Sequence, residues 1–232
     1  MLTTEQRTTL AGNAWLSELP HALQARLFES AVSKTYAKGQ VIHLTGDKPT
    51  GFYGIANGRV RVSQPDKDGN ELLLALLHPG TWFGEISLFD GLPRTHDAVA
   101  ETHATLALIP TSAFHSMLAE HPDFYPHFAK LLCARVRSAF QFIDSSATLN
   151  LSQQLVRRLL MLTSGYGQQY PQAGAIEVKI SQESLAQMIN SSRQTVNQLL
   201  QALQARDLVE VRYGKIVIHD WQRLSHWHAN TV

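Results

Sequence analysis

The chain has 232 residues, enough for one large or two small domains, and 44 % of them are apolar, ordinary usage for a protein with a real core. A net charge of +1 excludes a global field that would draw nucleic acid or membrane to the whole molecule. One cysteine, Cys133, excludes an intrachain disulfide framework and a cysteine cluster for zinc or iron–sulfur.

The charge is unevenly spread. Residues 1–149 carry 12 Lys/Arg against 14 Asp/Glu, and residues 150–232 carry 8 against 5. The mild basic excess of the last third suits a polyanion. The start, MLTTEQRTTL, is polar and lacks the apolar core of a signal peptide. No stretch approaches ~18 uninterrupted apolar residues, so no membrane span is expected. These features predict a cytoplasmic protein.

Residues 16–31, LSELPHALQARLFESA, place Leu19, Leu23, Leu27, Phe28 and Ala31 at helical spacing. From about 34 to 110, short apolar runs alternate with turn signals every 8–12 residues, as in a β sandwich or barrel. Ala56-Asn57-Gly58-Arg59 reads as a type I′ hairpin and Asp66-Lys67-Asp68-Gly69-Asn70 as a second. A short helix follows over 111–119, then a break at His121-Pro122. Residues 123–148 read as one long helix. In it Ala129, Leu132, Val136, Ala139 and Ile143 repeat at coiled-coil spacing, as a dimer seam or as a face packed on the helix's own domain.

Another helix covers 150–164, and a Gly/Pro-containing loop runs to 174. Ile176, Val178 and Ile180 alternate as a strand. Two short helices, about 182–189 and 192–206, precede two strands joined by Arg212-Tyr213-Gly214. In SQESLAQMINSSRQTVNQLLQAL, Ser181 is a plausible N-cap and Asn190 suits the turn between helices. Ser191 with Gln194 has the capping-box pattern. Val196, Leu199, Leu200 and Leu203 form the buried back of the second helix. Its other face offers Ser191, Ser192, Arg193, Gln194, Asn197 and Gln198, side chains suited to base edges and phosphates. The alternative is an amphipathic helix pair with a solvated polar face. The short turn, the hairpin and the local basic excess favour a winged helix-turn-helix.

The order is therefore β-roll, long helix, winged helix-turn-helix. It resembles the superfamily of the cyclic-AMP receptor protein and the fumarate-nitrate regulator (CRP/FNR) over about residues 16–220. The resemblance is carried by GFYGIANGRVRV (51–62), HPGTWFGEISLFDGLPRT (78–95) and LAQMINSSRQTVNQLLQAL (185–203). It implies an α+β fold: an antiparallel β-roll (jelly-roll) sensor domain over 1–121, a dimerisation helix over 122–149, and a DNA-binding domain over 150–232. It implies no enzyme activity. Its implied partners are double-stranded DNA bearing a palindromic operator, a second copy in a homodimer, and RNA polymerase, with no membrane.

By that resemblance FGEISLFDGLPRT is a phosphate-binding cassette. Glu85 would take a ribose hydroxyl, Arg94 and Thr95 a phosphate, and Gly84 would permit close backbone approach. The implied effector is cyclic AMP or another cyclic nucleotide. The alternative is a structural Glu85–Arg94 ion pair beside an empty or differently occupied pocket, in a regulator that binds DNA constitutively.

Two departures matter. His96 stands where cyclic-AMP binders carry a small residue. Ala139 and Phe140 stand where adjacent Thr and Ser read adenine, and of the two only Phe140 has a ring to stack on a base. The reading helix has Arg193-Gln194-Thr195-Val196-Asn197-Gln198 in place of Arg-Glu-Thr-Val-x-Arg, which predicts an operator richer in A·T. Cys133 reads as a small buried hydrophobe rather than a redox sensor. The 11 histidines, among them His43, His78, His96 and His103, lack ligand spacing and read as surface or capping groups, so no metal or haem is expected. A metal-holding cupin lacks its His-x-His and Glu constellation here.

Overall fold

The computed structural model describes residues 2–65, 71–163 and 175–227. The proposed Asp66–Asn70 turn and the whole 165–174 loop lie outside the described residues. The chain divides into two compact units, Met1–Gln64 with Leu74–Arg135, and Pro65–Leu73 with Val136–Val232.

The first unit opens with helices α1 (Thr4–Ala11), α2 (Ala14–Ser17) and α3 (His21–Ser30). The periodic stretch 16–31 is thus broken: Pro20, which has no N–H to donate inside a helix, sits at the N-cap of α3. Leu19, Leu23 and Leu27 are buried as their spacing predicted. Strands β1 (Val32–Tyr36), β2 (Val41–His43), β3 (Gly51–Asn57), β4 (Val60–Pro65), β5 (Glu71–Leu77), β6 (Trp82–Phe83), β7 (Asp97–Ala100) and β8 (Ala104–Pro110) follow. A short helix α4 (Ile86–Asp90) lies between β6 and β7. The strands form two four-stranded sheets, ordered β1-β8-β3-β6 and β2-β7-β4-β5, and β1–β8, β3–β8, β3–β6, β2–β7 and β4–β7 all pair antiparallel.

Asn57-Gly58 is not a type I′ hairpin. β3 pairs with β8 and β6, while β4 pairs with β7, so the turn carries the chain from one sheet to the other. Only Gly58 has positive φ, +80°, and a Cβ there would lie 2.3 Å from the His103 carbonyl oxygen. Close approach of two backbones is what requires glycine at this position.

After β8 come α5 (Thr111–Glu120), a single 3₁₀ turn at Pro122–Phe124, and the long helix α6 (Tyr125–Thr148). An aromatic core binds this first unit. Phe52 stacks on Trp82 at 5.2 Å between ring centroids, and Phe114 meets Phe128 edge-on at 5.0 Å. Trp15 packs against Phe52 and Phe128 and donates its indole N–H to the His127 carbonyl at 3.0 Å.

α6 carries two stripes. Phe124, Phe128 and Leu131 are buried. On the other side Ala129 is exposed and Leu132 half-buried, while Val136, Phe140 and Ile143 are 51 %, 60 % and 58 % exposed. Cys133 falls off the buried stripe and is exposed, contrary to the expectation of a buried thiol.

The second unit contains α7 (Leu151–Thr163), β9 (Ile176–Val178), α8 (Gln182–Met188), α9 (Arg193–Gln204), β10 (Val209–Arg212), β11 (Lys215–Ile218) and α10 (Trp221–Ser225). Asn150 and Gln153 exchange side-chain and backbone hydrogen bonds at the start of α7, both at 3.0 Å. The three strands form one antiparallel sheet in the order β10-β11-β9. Trp221 at the start of α10 donates to Thr163 Oγ1 at 3.0 Å and ties the chain end to α7.

Candidate functional sites

The first site is built where β6 turns into α4. Gly84 has φ +92°, and a Cβ on it would lie 2.9 Å from an Arg94 guanidinium nitrogen. The backbone must therefore pass close to Arg94, and a side chain is excluded on both counts. Gly91, in the left-handed conformation, ends α4, and Asp90 Oδ1 accepts from Leu92 N at 2.9 Å. The chain then returns with Arg94 N donating to Asp47 O and Gly46 N donating to Arg94 O, each at 2.8 Å. Asp97 Oδ1 accepts from both the backbone and hydroxyl of Thr45. The loop before β3 thus fixes the segment leading into β7, which carries Arg94, Thr95 and His96.

The two charged residues of the cassette are both buried: Glu85 is 2 % exposed and Arg94 3 %. They do not form the ion pair that was one reading of the sequence. Arg94 donates to Gly84 O at 2.7 Å and to Gly51 O at 2.6 Å, with its guanidinium 5.7 Å from the Tyr53 ring centroid. Its buried Nε has no hydrogen-bond partner, and burial lowers its pKa from the ordinary arginine value. Glu85 Oε1 accepts from Arg135 Nε at 2.9 Å, and a second Arg135 nitrogen donates to Trp82 O at 2.6 Å. Arg135 lies on α6, so the carboxylate of the cassette holds the long helix.

Arg135 was not among the residues picked from the sequence, although a signal for it exists. Phe124, Phe128 and Leu131 form a buried stripe at spacings of four and three. The next position on that stripe is Arg135, itself 7 % exposed. A charge that continues a buried apolar stripe needs a buried partner.

Thr95 is exposed, and its hydroxyl lies 2.8 Å from His96 Nδ1. His96 is half-buried, and desolvation lowers its pKa. His43 departs from the expectation of a surface histidine. It is 8 % exposed, tilted against Tyr53 and Phe83, and burial aided by the charge of Arg94 pulls its pKa to about 4. Phe140 belongs to the second unit and is mostly exposed.

The second site is the pair α8–α9. Ser181 caps α8 as expected, accepting from Ser184 N at 3.0 Å. α8 ends with Asn190 at φ +47°, while Ser191 N donates to Ala186 O at 2.9 Å. That six-residue closure is a Schellman motif. It also corrects the capping box: Ser191 closes the first helix, and Ser192 caps the second by accepting from Thr195 N at 3.0 Å. Val196, Leu200 and Leu203 are buried; Ser192, Arg193, Gln194, Asn197 and Gln198 are exposed along one face, and Ser191 is half-buried.

Three supports were not read from the sequence. Arg158 of α7 is 5 % exposed and donates to Met188 O at 3.1 Å, at the end of α8; burial pulls its pKa to about 10. Gln182 Nε2 donates to Asn197 Oδ1 at 3.3 Å. Arg223 donates to the carbonyls of Arg206 and Asp207 just past α9, at 3.0 and 3.5 Å.

Two family profiles match the sequence over these two sites. Residues 33–121 match "Cyclic nucleotide-binding domain" and residues 153–227 match "Crp-like helix-turn-helix domain". A global nitrogen regulator of Synechocystis is 30 % identical over 196 residues, 84 % of this chain and 87 % of that protein. A CRP-like cAMP-activated global transcriptional regulator of Mycobacterium tuberculosis is 28 % identical over 192 residues, 82 % of this chain and 85 % of that protein. The crystal structure of a CRP/FNR-family regulator from Thermus thermophilus superposes with a TM-score of 0.62 at 28 % identity, covering 84 % of this chain and 96 % of that one.

Proposed function

The chain belongs to the CRP/FNR family of DNA-binding transcriptional regulators, and from that premise we propose that it works as a homodimer gated by a cyclic nucleotide in the β-roll. The observation that carries this reading is the 2.9 Å bond from Arg135 to Glu85. It links the ligand cassette to the helix that bears the exposed apolar stripe.

In this mechanism the nucleotide phosphate draws the Arg94 guanidinium from the carbonyls of Gly84 and Gly51. Charge-assisted bonds to a phosphate are stronger than bonds to neutral carbonyls. Thr95 supplies a hydroxyl and the cassette backbone supplies N–H groups. The ribose 2′-hydroxyl donates to Glu85, which then shares its oxygens between ligand and Arg135. Ligand binding thereby acts on α6, and the ligand selects the dimer geometry it binds best. Val136, Ala139, Phe140 and Ile143 would be covered by the second copy, with Phe140 offering its ring to the nucleobase. Two copies of α9 would then present Ser191, Ser192, Arg193, Gln194, Asn197 and Gln198 to a palindromic operator with half-sites ~34 Å apart. RNA polymerase is the partner through which bound protein acts.

A second reading has an observation of its own. Both charged groups already have partners within the chain: the two terminal nitrogens of Arg94 donate to carbonyls, and Glu85 accepts from Arg135. A constitutive regulator needs nothing more from the cassette. Calorimetric titration with cyclic AMP and cyclic GMP separates the two, with Arg94→Ala as control. Micromolar binding that the Arg94 variant loses supports the gated regulator; no heat with either nucleotide leaves the constitutive one.

A further inference from the structure

Strand β2 delivers a histidine into the interior of the β-roll through a break in its register. Val41 pairs with Val99 and His43 with Ala98, so two steps along β2 meet one step along β7, the count of a β-bulge. In a regular strand residues 41 and 43 would face the same side. Here Val41 is 45 % exposed and His43 8 %. The extra residue turns the imidazole inward, onto Tyr53 and Phe83 at 6.2 and 6.3 Å between ring centroids. Those two rings stack on each other and flank the cassette. A Cβ on Gly84 would lie 3.3 Å from the Tyr53 ring, and the Arg94 guanidinium lies 5.7 Å from its centroid.

A hydrocarbon side chain would fill that space without stranding a polar group. Among the described residues neither His43 ring nitrogen has a hydrogen-bond partner, and neither does Nε of Arg94. One nitrogen of a neutral imidazole always carries a proton, so a buried donor is stranded here, and buried donors are seldom left so. The charged and titratable groups facing the ring are Arg94, Asp47, Asp97, His96 and Tyr53. Arg94 opposes a charged ring; the His96 backbone favours one, but not in hydrogen-bonding geometry. The two carboxylates are held by other donors, Asp47 by Leu44 N at 2.7 Å and Asp97 by the backbone and hydroxyl of Thr45. The Tyr53 hydroxyl is bonded to Thr50 Oγ1 at 2.6 Å. What this place lacks is a negatively charged acceptor.

We propose that His43 is a further ligand-binding residue of the cassette: its ring N–H donates to an oxygen of the phosphate seated on Arg94, and its second nitrogen takes a proton from solvent as that anion arrives. This rests on the reading of a cyclic nucleotide in the β-roll. The phosphate offsets the Arg94 charge that opposes an imidazolium, and a charge-assisted bond gives the stranded donor its acceptor. In the free chain, burial first and Arg94 second hold the ring neutral, with a pKa of about 4. The bound state then holds more protons than the free one, so affinity rises as pH falls through the weakly acid range.

The test is calorimetric titration of the full-length protein with cyclic AMP and with cyclic GMP, at about pH 7.5 and about pH 5.5. Each titration is run in buffers of different ionisation enthalpy, which counts the protons taken up on binding. Wild type is expected to take up part of a proton, up to about one per site, and to bind more tightly at the lower pH. His43→Phe, which suits the same aromatic neighbours, should lose that uptake and bind roughly tenfold more weakly at the lower pH. His43→Gln keeps an N–H donor that does not titrate, so it should recover part of the affinity and none of the uptake. Thermal melting checks that both variants fold. Wild-type affinity in His43→Phe assigns the ring to packing and overturns the proposal. So does proton uptake that survives in His43→Phe, which would belong to His96, and so does wild type that binds with no uptake. Wild type that binds neither nucleotide at either pH overturns the cyclic-nucleotide reading itself, and this one with it.

Discussion

Arg135 on the long helix and Glu85 at the start of α4 meet through a 2.9 Å bond between two side chains that are 6 % and 2 % exposed. A buried pair of this kind is weak evidence of net stability, but removing one partner strands the other charge. Glu85→Gln and Arg135→Met should each destabilise the first unit by roughly 3 kcal/mol. The double variant should recover most of that loss. Urea unfolding followed by tryptophan emission, with Trp15 and Trp82 in this unit, measures the cycle. Additive losses would mean that the two residues act independently.

His43 predicts how the first unit responds to acid. Its pKa falls from 6.5 to about 4 on folding, burial being the main cause and Arg94 the second, while Asp47 and Asp97 oppose the shift. Above pH 6.5 the ring is neutral in both states and stability is at its full value. As pH falls from 6.5 toward 4 the unfolded chain takes the proton first, so stability drops by up to about 3 kcal/mol. His96 is shifted in the same direction and adds to the same window. Replacing His43 with Leu, which suits the faces of Tyr53 and Phe83, should flatten the stability profile between pH 4 and 6.5. His96→Ala should remove only a minor part. An unchanged profile in His43→Leu would assign the acid sensitivity elsewhere.

The turn between α8 and α9 rests on two contacts that stability measurements can separate. Arg158→Met removes the guanidinium that serves the Met188 carbonyl and should cost about 2 kcal/mol, the usual penalty for a buried acceptor that loses a charged donor. Asn190 is left-handed, at φ +47°, so Asn190→Gly should be neutral or slightly stabilising and Asn190→Val should cost about 1–2 kcal/mol. Trp221, bonded to Thr163 on α7, reports unfolding of this unit. A tolerated Asn190→Val would mean that the turn can close another way.

What the sequence made legible follows the range of the interactions involved. The order of elements, the winged pair and the Ser181 cap depend on residues a few positions apart, and all were readable. Asn57-Gly58 has the local chemistry of a hairpin. Whether its two strands share a sheet, however, is decided by β8 and β7, which lie far away in sequence. Ser191 and Ser192 are both good caps. The choice fell to Ser192 because the Ser191 N–H is already committed to Ala186 O. In the cassette, Glu85 and Arg94 stood out as charges in an apolar run. Their partners did not, because Gly51 O and Arg135 reach them only through tertiary packing.

The reading helix carries the last prediction. Arg193, Gln194, Asn197 and Gln198 share its exposed face, and Asn197 Oδ1 already accepts from Gln182. The Asn197 amide group is then biased toward donating to the DNA. Gln198 occupies the position where the family pattern has a second arginine, and an arginine there is suited to the O6 and N7 acceptors of guanine. Gln198→Arg should therefore shift the duplexes selected from a randomised pool toward a G·C pair at one step of each half-site. The expected preference is roughly tenfold, given ~1–3 kcal/mol for a two-pronged arginine–guanine contact. Arg193→Ala should instead relax selection at a different step and weaken binding overall. If Gln198→Arg enriches the same sequences as wild type, Gln198 does not face a base edge, and the phase of α9 in the groove must be rotated toward Gln194.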